Sequence, residues 1–80
     1  MRDSMARLWY ELWMLDTGNM VADYDTEPDA LAEVRAYMDA HGREAIVHWA
    51  LARNGESESD FQRIADGEAL ADRALRVHAA

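Results

Sequence analysis

The chain has 80 residues, which limits it to a single small domain over 1–80. Half of the residues are hydrophobic and 30% are charged, a globular mixture rather than a disordered one. Sixteen acids against eight bases leave a net charge of -8, which disfavours direct binding to nucleic acid or to an anionic membrane surface, and the lack of cysteine excludes a disulfide framework, a thiolate zinc site and a cysteine nucleophile.

Residues 7–15, Arg-Leu-Trp-Tyr-Glu-Leu-Trp-Met-Leu, are apolar at nearly every position and fit a helical stripe poorly. Asp16-Thr17-Gly18-Asn19 has turn chemistry, and Met20 to Asp25 resumes a strand-like alternation. The two segments read as a β-hairpin. A plain two-residue turn would set Leu12 against Asp23 and mix core with solvent. A bulge at Gly18, in the left-handed conformation, instead sets Tyr10, Leu12 and Met14 against Tyr24, Ala22 and Met20.

Thr26-Glu27-Pro28-Asp29 starts a helix: threonine caps the free amides, proline suits the first turn, and the acids suit the positive end of the dipole. Leu31, Val34 and Met38 form its inner stripe with Tyr37 and Ala30, and His41-Gly42 stops it. The helix is expected over 27–41. A third strand follows from Ile46 to Arg53, a polar loop over 54–59, and a fourth strand from Asp60 to Ala65. Asp66-Gly67-Glu68 opens a second helix with Leu70, Ala74 and either Leu75 or Val77 inward.

The order is ββαββα. The expected fold is α+β, an antiparallel sheet of about four strands with two helices mainly on one face. An offset of 39 residues lays Tyr10 on Trp49, Leu12 on Leu51 and Asp29–Glu33 on Glu68–Asp72, which suggests a duplicated ββα unit. The caps are one residue out of step, so the duplication stays one of two options. No apolar run is long enough to span a bilayer and no basic-then-apolar leader opens the chain, so a cytoplasmic protein is expected.

Spaced elements over residues 10–70 carry a resemblance: Tyr10-Glu11-Leu12-Trp13, Gly18-Asn19-Met20-Val21, Ala30-Leu31 with Val34-Arg35, His41-Gly42, Ala50-Leu51, and Ile64-Ala65 with Gly67 and Leu70. The pattern resembles a family of short bacterial proteins to which no activity is assigned. It implies no catalytic residue, and the two extra residues between Trp13 and Asp16 depart from it at the first turn.

If Tyr10, Leu12 and Met14 face the helices, then Trp9, Glu11, Trp13 and Leu15 face away, joined by Val21, Asp23 and Asp25 from the second strand and by His48 from the third. Two tryptophans and a leucine on an uncovered sheet face point to an interface. The competing explanation is that the second helix or the N-terminal segment folds over them. In the third strand Val47, Trp49 and Leu51 are expected inward; the opposite setting puts Ala50 and Ala52 under a helix.

Glu11 lies opposite Asp23 in this register, and like charges so placed repel. Either a cation lies between them or the register is wrong. Carboxylates beside indoles suit an arginine, which pairs with the acid and stacks on the ring. The partner of this face is therefore expected to present arginine, with Arg7, Arg53 and Arg63 as donors if the partner is a second copy.

Asp23, Asp25, Glu27 and Asp29 begin like a calcium loop, but Pro28 occupies the position that needs glycine and Val34 the position that needs glutamate. His41, His48 and His78 have no metal-motif spacing, and Ser4, Ser57 and Ser59 sit in no nucleophile elbow. No metal, no cofactor and no enzymatic activity are expected. The acid excess offers an alternative: Glu56, Glu58 and Asp60 with Asp23 and Asp25 imitate a phosphate array, as an inhibitor of a nucleic-acid-binding protein would. The first reading is a non-catalytic interaction module, homodimeric through the tryptophan-bearing face.

Overall fold

The computed structural model describes residues 7–77. Its elements are β1 (Leu8–Met14), β2 (Asn19–Tyr24), α1 (Glu27–His41), β3 (Trp49–Gly55), β4 (Gln62–Asp66) and α2 (Gly67–Leu75). The four strands form one antiparallel sheet in the order β2-β1-β3-β4, so the α+β fold with order ββαββα is as the sequence indicates.

The first hairpin shows how turn and core are reconciled. The chain reverses through Leu15–Gly18, where the Gly18 N–H donates to the Met14 carbonyl at 2.8 Å and Gly18 takes a positive φ of 76°. This turn sets Met14 against Asn19 and Trp13 against Met20. Continued unchanged, it would put Ala22 and Tyr24 on the wrong face. A bulge at Val21 corrects the parity, so that Leu12 meets Ala22 and Tyr10 meets Tyr24. The irregularity is therefore in β2 and not at Gly18, and the expected pairing of Met14 with Met20 is replaced by Trp13 with Met20.

α1 has the expected bounds. Thr26 Oγ1 accepts from the Asp29 N–H at 3.2 Å, and Gly42 ends the helix at φ 97° with its N–H donating to the Met38 carbonyl. Thr26→Ala should cost about 1 kcal/mol through the lost cap. Gly42→Ala should cost about 1 kcal/mol or more, because the backbone is left-handed there and a Cβ would lie 3.0 Å from Glu44 Oε1. Urea midpoints that stay put for both variants would contradict these end assignments.

The third strand begins later than the sequence suggests. Arg43–Ile46 form a 3₁₀ turn, Val47 and His48 a connection, and β3 starts at Trp49. Ile46 is buried, but Val47 is 51% exposed rather than inward. Trp49 and Leu51 face the helices, as expected, with the Trp49 ring tilted against Tyr37 at 4.7 Å between centroids. The fourth strand also begins later, after a 3₁₀ turn over Glu58–Asp60. In α2 Leu70 and Ala74 are buried, and Val77 rather than Leu75 packs against the core.

Both helices cover one face, where Leu12, Leu51, Val34, Ile46 and Leu70 are fully buried. Leu12 pairs directly with Leu51 across the central β1–β3 seam. These are the two residues that an offset of 39 makes equivalent. The outer pairings break just beside them, between Leu12 and Trp13 on one side and between Leu51 and Ala52 on the other. The two hairpins thus carry their bulges at matching places beside the two leucines.

Candidate functional site

The face away from the helices is built by strand parity. Trp9, Glu11 and Trp13 of β1 lie opposite Asn54, Ala52 and Ala50 of β3. Asp23 and Met20 flank them from β2, and Arg63 and Asp66 from β4. Among the described residues neither helix packs here, because the helical core residues cluster with the other face.

Glu11 organises the centre. The residue is only 8% exposed, yet among the described residues no cation pairs with it. Instead Oε1 accepts from the Trp13 indole N–H at 3.0 Å, and Oε2 accepts from the Trp9 indole N–H at 2.8 Å and from Asn54 Nδ2 at 3.3 Å. Asn54 is itself oriented, since its Oδ1 accepts from the Gly55 N–H at 2.8 Å. Burial pushes the Glu11 carboxyl up, but the three donors from Trp9, Trp13 and Asn54 outweigh it and hold the pKa below the ordinary 4.5. The carboxylate therefore stays ionised and fixes both indoles.

This answers the charge conflict between Glu11 and Asp23 in a third way. The register is the expected one at that pair, and among the described residues no arginine pairs with Glu11. Glu11 turns along its own strand to the indoles two residues before and after it, while Asp23 is exposed. The signal was present in the sequence as Trp-x-Glu-x-Trp, a spacing that puts all three side chains on one face of a strand. Asn54 and Met20 had no such signal. Their places depend on the β1–β3 register and on the bulge at Val21.

The remaining candidates divide. Leu15 lies in the turn and His48 ahead of β3, both exposed, but the Leu15 N–H donates to the His48 carbonyl at 2.7 Å and keeps the two backbones side by side beyond the strand ends. His48 is thus beyond the strand rather than in it. Val21 is the bulged residue and is exposed. Asp25 lies past β2, where its Oδ1 meets Arg7 Nη2 at 3.2 Å, and the Arg7 guanidinium stands 5.9 Å over the Trp9 ring. The arginine that the acids and indole invited is supplied by the chain itself. These groups line a groove of about 610 Å³ with Asp23, Tyr24 and Asp29.

Several acids are engaged within the fold. Glu27 pairs with Arg73 at 2.5 Å, and Asp60 Oδ2 accepts from the Ser57 N–H at 3.0 Å. Among the described residues no group of three or more histidines and acids is placed to hold a metal ion, and no helix is long and apolar enough to cross a membrane. Ser4 and His78 lie outside the described residues. No family model, curated protein or solved structure matches the chain.

Proposed function

We propose that this protein is a non-catalytic, cytoplasmic interaction module that pairs with a second copy of itself through the sheet face carrying Trp9, Glu11 and Trp13. The observation that supports this reading is the pair of half-buried indoles locked by one carboxylate on a face that neither helix covers. Aromatic anchors already fixed in position lose little side-chain freedom on docking, which is what an interface centre requires. The two sheet edges favour the same reading. Each outer strand pairing is broken by a bulge, and a bulged strand is a poor template for another strand. The flat face is the better surface to share.

The phosphate-mimic alternative draws on fewer groups than the sequence suggested, because Asp60 caps its own turn and Asp25 pairs with Arg7. The test is sedimentation equilibrium. Wild-type protein should dimerise at micromolar concentration, and Trp13→Glu should give a folded monomer, since a charge at the centre of an apolar contact is left without a partner. A wild-type protein that stays monomeric to millimolar concentration, or a Trp13→Glu variant that still dimerises, rejects the reading.

A further inference from the structure

We propose that the second copy docks with its twofold axis parallel to β1 and β3, so that Asp23 of each copy meets Arg63 of the other. This rests on the homodimer reading and adds its geometry.

The open face is not uniform from edge to edge. β2 presents Asp23, β1 Trp9, Glu11 and Trp13, β3 Asn54, Ala52 and Ala50, and β4 Arg63 and Asp66. Asp23 and Arg63 stand at opposite edges on one level of the sheet, because Asp23 pairs with Glu11, Glu11 with Ala52 and Ala52 with Arg63. Two simple face-to-face arrangements satisfy twofold symmetry. An axis perpendicular to the strands lays β2 on β2 and β1 on β1, which sets Asp23 against Asp23 and indoles against indoles. An axis parallel to the strands lays β2 on β4 and β1 on β3 with each residue kept at its own level, which sets Asp23 against Arg63, Trp13 over Ala50 and Trp9 over Asn54. Both keep the strands aligned, and only the second brings Asp23 and Arg63 together.

Arg63 suits the role because of where it points. Among the described residues it shares the open face as the partner of Ala52, whereas Arg53 pairs with Tyr10 on the helix side. Its present contact, Arg63 Nη1 to Asp66 Oδ2 at 2.9 Å, is an exposed ion pair that exchanges readily. Arg7 already occupies the groove at Asp25, so Asp23 is the acid left for an incoming guanidinium. The contact is small. Four strands at about 4.8 Å spacing and about 20 Å length present roughly 400 Å² per copy, about half the usual area per partner, so the pairing is of the weak, transient kind.

Charge exchange tests the geometry. Dimer dissociation constants are measured by sedimentation for wild type, Asp23→Arg, Arg63→Asp and the double variant, with circular dichroism to confirm folding. Each single change should weaken the dimer about tenfold or more, because it sets like charges together at both copies of the contact. The double variant should return to within about threefold of wild type, since the exchanged charges again pair. A double variant no better than the singles overturns the axis, as does an Asp23→Asn variant that associates more tightly, which would place Asp23 against itself. If Trp13→Glu abolishes the dimer while the charge variants show no coupling, the face stands and this geometry falls. If the wild type never dimerises, both fall.

Discussion

Leu51→Ala should cost about 3–5 kcal/mol, a large share of the stability that a domain of this size has. Leu51 is fully buried at the middle of the sheet, paired with Leu12 on one side and Ala65 on the other, under both helices. Removing its branched end leaves a cavity that cannot close, since the strands on both sides are fixed by their ladders. Urea unfolding reads this as a lower midpoint with an unchanged slope. Leu75→Ala, at a residue 49% exposed, should change the midpoint little and serves as the control. Equal losses at the two positions would mean that the core is not centred on the β1–β3 seam.

Glu11→Ala should cost about 1–3 kcal/mol, because two indole N–H groups and the Asn54 amide lose their common acceptor in a half-buried setting. Glu11→Gln separates the two sides. Its single oxygen is best used where Oε2 now accepts two donors, from Trp9 and Asn54, and its NH₂ then faces the Trp13 N–H. The Trp13 indole signal should therefore move in a ¹⁵N-resolved proton spectrum while the Trp9 signal stays close to its wild-type position; the reverse result would refute the assignment. The pH dependence has a definite sign. The folded pKa lies below 4.5, so the stabilisation is fully present above that value and is lost as pH falls through the folded pKa. Wild type should lose stability on acidification below pH 4.5 more than Glu11→Gln does.

Much of the scaffold was legible because single residues decide it. Thr26, Pro28 and Gly42 each have a backbone conformation or missing donor that admits few places in a helix, and they fix α1. Tyr10 and Leu12 could be assigned inward because the opposite parity would bury Asp23. The start of β3 was not legible. Ile46 and Val47 continue an apolar alternation, and nothing local says that Arg43–Ile46 coils into a 3₁₀ turn instead. There Ile46 is buried in the core beneath α1 and α2, a packing that depends on tertiary contacts. The bulge at Val21 escaped for the same reason, since the turn favours one register and the core another. At the site, Trp9, Glu11 and Trp13 could be placed on one face, but the role of Glu11 was misjudged as a charge needing a cation. An indole N–H is a sufficient donor when two of them converge on one carboxylate.

The seam between Leu12 and Leu51 has a consequence for chain connectivity. In each ββα half the strand pairing closes only a short loop, Leu12 with Ala22 and Leu51 with Ala65, and each helix follows its own hairpin directly. Leu12 and Leu51 lie thirty-nine positions apart, and among the described residues β1–β3 is the strand pairing that joins the halves. Loop-closure entropy rises with the logarithm of separation, so this one ladder bears the largest topological penalty in the sheet. It is also the ladder that brings the largest aliphatic contacts together. The cost of joining distant sequence and the reward for doing so fall on the same pair of strands, and the packing of α1 on α2, with Glu27 paired to Arg73, closes the same long loop a second time.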